Sequence, residues 1–342
     1  MPPDHPVASA DEIREALKTR VKVIKPPPDM ALSFPVSDAA LREFGLPPQP
    51  NPQDSPNLAA QFRATLSAPL RFLEPEFAFE LTPGRAWRLA GSFSDNWSGA
   101  FIRCAPPDRL VRVQASWIVP NPFPPPVPSG AMVDDTYGSS TWIGLDGHDP
   151  TSQSMPQIGT AQFVEVKNGV SKVTTSAWYQ WWVRGKSSPP ITLPNFIVSP
   201  GDLMFCELVK IDPKKVNMRF KNRSSGLSFA LEMTAPTKDK DGSPIDVEIE
   251  GLTAEWIMER PADLHDSNHI YRLPQYGATA MYGCRAGLDP SVGHGAGELD
   301  LQDAGLIRMV DDHDPIMPGI VVSTPAKRGD DTILLFSRGN EI

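Results

Sequence analysis

The chain has 342 residues, 32 Lys and Arg against 41 Asp and Glu, and a formal charge of −9. That balance excludes the clustered basic face a nucleic acid or anionic membrane requires, and no apolar run reaches the roughly 18 residues that span a bilayer. Three cysteines (Cys104, Cys206, Cys284) are too few and too scattered for a disulfide framework or a zinc cluster, and 38 prolines argue against a helical bundle.

In chain order, MPPDHPVASADEIREALKTR has no basic stretch followed by an apolar run. No secretory leader is legible, and a cytoplasmic setting is the default. Ser9 with Glu12 forms a capping box that predicts a helix through about Val23, with Ile13, Leu17 and Val21 on one face. Pro26-Pro27-Pro28 stops it. Further short helices are expected over Ser37 to Phe44, closed by Gly45 and Pro47, and over Asn57 to Leu66. Residues 1–85 read as a helical, Pro-rich extension, and residues 86–342 as one β domain.

Strand patterns begin near residue 92. Val111, Val113, Ala115, Trp117 and Val119 alternate with Arg112, Gln114 and Ser116, the period of a sheet with two unlike faces. A proline-rich loop, Pro120 to Gly130, follows. Asn168-Gly169, between alternating runs, is the strongest hairpin signal in the chain. Further strands are expected over Ala177 to Val183, Leu203 to Ile211, Val216 to Phe220, Leu227 to Met233, Ala254 to Glu259 and Thr332 to Phe336. Turn signals recur at sandwich spacing with no helical pattern between, which predicts an all-β, mostly antiparallel sandwich.

Two strands carry candidate chemistry. In Ala254-Glu255-Trp256-Ile257-Met258-Glu259, alternation puts Trp256 and Met258 on one face and both glutamates with Ile257 on the other. In Trp178-Tyr179-Gln180-Trp181-Trp182, one face holds Trp178, Gln180 and Trp182, an amide between two indoles that suits a groove lining. Solvated strand positions are the alternative for Gln180 and Glu259. Other motifs are weaker. His265 and His269 stand four apart without the intervening Glu of a zinc helix. Asp311-Asp312-His313-Asp314 reads as a charged turn, and Gly293-His294-Gly295-Ala296-Gly297 follows no strand, which disfavours a phosphate loop. Asn96 and Asn222 begin glycosylation sequons.

The order of the motifs adds to this. Asn96-Trp97-Ser98-Gly99-Ala100, a strand ending in Val119-Pro120, Trp142-Ile143-Gly144-Leu145-Asp146-Gly147, Gln157-Ile158-Gly159, Ala177-Trp178-Tyr179-Gln180-Trp181, Gly201-Asp202 and Ala254-Glu255-Trp256-Ile257-Met258-Glu259 follow one another. The series resembles the glutamic peptidase (eqolisin) family over about residues 94 to 262. The resemblance implies a concanavalin A-like, jelly-roll sandwich with a groove on its concave face, a monomer that acts on polypeptides with neither metal nor cofactor. It implies a catalytic pair, Gln157 and Glu259, with Trp97, Trp142, Asp146, Trp178 and Gln180 along the groove. It also raises the prospect that residues 1–85 are a prosegment, an anchor or a brace, and that the protein is secreted as its fungal relatives are.

Such a pair has a physical rationale. An ionised Glu can take a proton from water as general base, while a Gln orients the water through its carbonyl and binds the oxyanion through its NH2. Three positions depart from the family pattern: Gln180 stands where an acid is usual, and Ala161 and Ser176 stand where fungal members carry acids. Fewer like charges imply a less acidic optimum. A non-catalytic lectin-like or peptide-binding sandwich is the rival reading, and a homologue that lost activity through Gln180 a third.

Overall fold

The computed structural model describes residues 19–24, 36–67, 71–79, 89–90, 93–125, 134–186, 189–239, 242–262, 270–311 and 319–338. The longer strands are β1 (Trp97–Arg103), β2 (Leu110–Ile118), β3 (Asp135–Leu145), β4 (Ser154–Lys167), β5 (Val170–Val183), β6 (Leu203–Asp212), β7 (Lys215–Asn222), β8 (Leu227–Thr234), β9 (Thr253–Glu259), β10 (Ala278–Leu288), β11 (Gly305–Asp311), β12 (Ile320–Arg328) and β13 (Thr332–Ser337). The expected strands are all present; β1, β3, β10, β11 and β12 were not delimited from the sequence.

The front sheet runs β5-β4-β3-β9-β1-β11, every pair antiparallel. The back sheet runs β8-β7-β6-β2-β10-β13-β12-β11, also antiparallel. β11 belongs to both: Gly305 to Ile307 pair with β1, and Met309 to Asp311 pair with β12. Asn168 and Gly169, at φ 53° and 73°, make the two-residue turn between β4 and β5, as their dipeptide predicts.

The core lies between the sheets. Trp117, Phe220 and Met204 from the back meet Ile143, Ile158, Tyr179, Trp181, Trp256 and Met258 from the front. Two indoles tie the layers: Trp117 Nε1 donates to Thr160 Oγ1 (3.0 Å) and Trp256 Nε1 to the Gln114 carbonyl (2.9 Å). Cys104, Cys206 and Cys284 are buried free thiols.

Two helices precede the sandwich. α1 (Asp38–Glu43) is capped by Ser37, whose Oγ accepts from Ala40 N, and is closed by Gly45 at φ 69°. α2 (Pro56–Ser67) begins on a proline, where the missing N–H costs nothing. The helix expected through Val23 lies outside the described residues up to residue 18. Val21–Val23 itself is a strand, antiparallel to β8 with Val21 opposite Met233. β-branched valines beside an open edge favour the ladder over a final helical turn.

The helical segment covers the polar face of the back sheet. Arg112 Nη1 lies 3.2 Å from Glu207 Oε1 and Arg219 Nη2 lies 2.7 Å from Glu207 Oε2, all buried. Phe62 of α2 is fully buried between the two guanidinium groups, 6.0 and 5.6 Å from its ring centre. Gln114 donates to Gln61 Oε1 (2.6 Å), Asn217 to the Gly45 carbonyl (2.8 Å) and Arg112 to the Pro48 carbonyl (2.7 Å). Glu298 accepts from Leu58 N at the start of α2, and Lys221 donates to the Thr65 carbonyl near its end. The sandwich thus presents charges of the sign that each end of the helix dipole favours.

Candidate active site

The front sheet turns its second face away from the core. Trp97, Trp142, Met155, Trp178, Trp182, Ile257 and Ile307 form a separate apolar cluster there. The ladders arrange this face in rows that cross β1, β9, β3, β4 and β5. One row reads Phe101, Glu255, Gly144, Gln157, Gln180. The next reads Gly99, Ile257, Trp142, Gly159, Trp178, and the third Trp97, Glu259, Ser140, Ala161, Ser176. The face assigned by alternation to Trp178, Gln180 and Trp182, and to the two glutamates, is therefore a single surface.

Within it, Gln157 and Glu259 stand two strands and two rows apart, with Trp142 in the row between them. β9 lies against β3 so that Glu255 enters the Gln157 row, where Glu255 and Gln157 flank Gly144.

Each of these two side chains is held on one side. Gln157 Nε2 donates to Gln180 Oε1 at 2.5 Å, while Gln157 Oε1 is buried with no partner among the described residues. Glu255 Oε1 accepts from His148 N at 2.9 Å; its other oxygen has no hydrogen bond of good geometry, with the Thr253 hydroxyl beside it. Glu255 is fully buried, and that desolvation pushes its carboxyl up to about 8 against the pull of its hydrogen bonds. The His148 ring stacks on Phe101, Glu255's neighbour on β1, with centroids 3.4 Å apart. Burial, with Arg103 nearby, lowers the His148 imidazole to about 4.

Asp146 has a different place from a groove lining. At φ 72° it ends β3, and its carboxylate accepts from Glu250 N (2.7 Å), Gly251 N (3.0 Å) and Leu252 N (2.6 Å). It pins the chain entering β9 and so fixes where Glu255 falls. Burial raises it to about 6 despite three donors. Glu259 is also buried, and is pushed up to about 8 by desolvation. It accepts from Trp142 Nε1 (2.6 Å) and Asn96 Nδ2 (3.2 Å). Trp97 meets Trp142 edge-on at 5.1 Å and 77°. Trp178 Nε1 donates to Ser140 Oγ (2.9 Å).

The remaining motifs are accounted for. His294 Nδ1 and N both contact the Asp108 carboxylate (2.7 and 2.6 Å), so the glycine-rich stretch is a turn pinned to that side chain. His265, His269 and Asp312 to Asp314 lie outside the described residues. Asn96 and Asn222 are fully buried, which closes both sequons to a glycosyl donor in the folded chain. Among the described residues, no three His, Cys, Asp or Glu side chains converge to hold a metal ion, and no helix is long and apolar enough to cross a membrane.

Comparison with known proteins places this chain among the glutamic peptidases, hydrolases of the peptide bond. The chain belongs to the Peptidase A4 family, whose sequence profile matches residues 95–329. It is similar to scytalido-glutamic peptidase, solved with a transition-state analogue inhibitor, at 17% identity and a TM-score of 0.52 over 71% of this chain and 98% of that one. A second structure of that peptidase, with a peptide-based analogue, matches at 17% identity and a TM-score of 0.50 with the same coverage. At that identity the likeness shows the fold. No curated protein sequence matches.

Proposed function

We propose that the chain is a metal-independent acid endopeptidase whose working pair is Gln157 and Glu259. The observation that carries this reading is that both lie on the outer face of the front sheet, with Trp142, whose indole N–H donates to Glu259, in the row between them. Gln180 takes one N–H of Gln157, which leaves the carbonyl and the second N–H for water and substrate. Ionised Glu259 takes a proton from the water as it attacks the scissile carbonyl, the remaining Gln157 N–H binds the oxyanion, and protonated Glu259 returns the proton to the leaving amine. Burial pushes the Glu259 carboxyl up to about 8, so the base form in acid belongs to a cleft opened to water.

The test is a set of single substitutions assayed on a denatured protein from pH 2 to pH 7. Glu259→Gln and Gln157→Ala are expected to lose on the order of 10³-fold or more in kcat, and Glu255→Gln to keep activity wherever it folds. Loss in folded Glu255→Gln with activity kept in Glu259→Gln would overturn this pair. Wild type that binds peptide but never cleaves it would favour the binding-module reading.

Residues 1–85 are proposed as a brace rather than a groove cover, at least over 36–67, because that segment packs on the back sheet. Mass spectrometry of the acid-incubated enzyme tests this. The segment is expected to remain bound even after any cut near residues 85–95, and its release with full activity would make it a prosegment.

A further inference from the structure

The turn that leads into β1 carries a chain of hydrogen bonds in which every direction is fixed by chemistry. Ser94 Oγ accepts from the main-chain N–H of Asn96 (3.3 Å) and of Trp97 (3.1 Å). A hydroxyl with both acceptor positions filled by backbone donors has one role left, to donate its own proton. That proton goes to Asn96 Oδ1 at 3.1 Å. The amide is thereby set one way round: its oxygen faces Ser94, and its Nδ2 donates to Glu259 Oε1 at 3.2 Å. Ser94 and Asn96 are both buried, and the main-chain carbonyl of Asn96 accepts from Arg260 N (2.8 Å), which ties the same turn to the end of β9.

The other side of Glu259 is of the same kind. Oε2 accepts from the Trp142 indole, a group with an N–H and no acceptor, and the Trp97 indole stands beside the carboxyl. Among the described residues, the hydrogen-bond partners of both oxygens are therefore donors. A proton taken up by Glu259 finds no acceptor in these partners and stays available to the groove. Were the Asn96 amide reversed, its oxygen would accept that proton and hold the carboxyl in its acid form. The charged neighbours of this carboxyl are Asp95 on the same turn and Arg260, which is paired with Asp311 of β11 at 3.0 Å.

We propose that Asn96, locked in one orientation by Ser94, is a positioning residue for peptide hydrolysis: it holds Glu259 through a donor, so that the proton taken from water goes to the leaving amine and not into the protein. The inference rests on the Gln157–Glu259 reading. The C–O bond forms as water loses a proton to Glu259, and the C–N bond breaks as Glu259 gives that proton to the amine nitrogen. Asn96 and Ser94 are assigned no contact with substrate.

The test is the pH dependence of kcat on a denatured protein, with the folding of each variant followed by urea unfolding. Asn96→Asp keeps the size of the side chain and replaces the donor by a carboxylate. Ser94→Ala unlocks the amide, and Asn96→Ala removes it. Asn96→Asp is expected to move the acid limb up by at least about one pH unit, because a like charge and an acceptor both favour protonated Glu259. Ser94→Ala should move the limb the same way. Asn96→Ala is expected to lower kcat about 10- to 100-fold, the scale of a misplacement near 1 Å, with KM within about threefold. Adding Ser94→Ala to Asn96→Ala should cost no more than about threefold further, because both cut the same chain of bonds. A folded Asn96→Asp with the wild-type acid limb, or multiplicative losses in the double variant, would overturn the proposal. If neither Asn96 variant folds, Ser94→Ala decides: an unmoved limb with kcat within about threefold of wild type refutes it, and an upward shift supports it. Glu259→Gln serves as the control for the underlying reading. Full activity there sinks the pair itself, whatever Asn96 does; loss there with an unmoved limb in Asn96→Asp sinks this inference alone.

Discussion

Replacing Gly144 by alanine puts one methyl group on the floor between Glu255 and Gln157. Gly144 has ordinary strand backbone, without the positive φ that only glycine tolerates cheaply. The new β-carbon would meet Trp142 Cζ3 at 3.1 Å, the Pro156 carbonyl at 3.3 Å and Gln157 Cβ at 3.4 Å. These are shortfalls of a few tenths of an ångström. Overpacking of this kind costs about 1–3 kcal/mol, and the stiffer unfolded chain returns about 0.4–1 kcal/mol. The net loss of stability is expected to be at most about 2 kcal/mol. Activity should respond far more. The methyl presses on Gln157 and on Trp142, whose indole holds Glu259, so we expect kcat to fall at least about 100-fold, equivalent to about 2.7 kcal/mol of transition-state stabilisation. Urea unfolding followed by tryptophan fluorescence gives the first quantity, and initial rates at saturating substrate give the second. A folded Gly144→Ala enzyme with kcat within about threefold of wild type would show that the placement of Gln157 and Trp142 beside this position does not govern the reaction.

Other expectations concern fold and pH. Phe62→Ala empties a fully buried site between Arg112 and Arg219. It should lower global stability by about 3–5 kcal/mol, and an unchanged urea midpoint would show that α2 is not part of the cooperative unit. Glu255 and Glu259 bind protons more tightly folded, near 8, than their ordinary 4.5. Their contribution to stability is therefore complete below about pH 4.5 and is lost as pH rises through about 8, a change on the order of a few kcal/mol. Urea midpoints should fall between pH 5 and pH 8, and less steeply in Glu259→Gln; identical slopes would refute the assignment. The wild-type pH–rate profile should peak above about pH 3. Gln180→Glu, by adding a like charge to the face that holds Glu259, should move the acid limb to higher pH; an optimum below pH 3 in wild type would contradict the reading.

Much of the fold was legible because its signals are local. Alternation in Ala254 to Glu259 separates Trp256 and Met258, which enter the core, from Glu255, Ile257 and Glu259, which do not. Asn168-Gly169 sets the turn and with it the facing of Gln157 and Gln180 across β4 and β5. The register of β9 against β3 was not legible. It sets which β9 side chains share a row with Gln157, and no tight turn joins those strands, so nothing local encodes it. The docking of α2 was equally hidden. Arg112 and Gln114 show only as the polar face of a strand, because a single chain segment cannot reveal that another segment supplies their partners.

The strands that carry the proposed pair are interior ones. β3, β4 and β9 each have a neighbour on both sides, so their main-chain amides and carbonyls are already spent on the ladder. A polypeptide lying across them cannot be gripped as an added strand, the device by which many sheet proteins read an extended chain irrespective of its sequence. Its recognition falls to the relief of the surface, in which glycines at 144 and 159 form the low ground and indoles the high. Selectivity on such a terrain can be redrawn one side chain at a time, with the backbone left untouched.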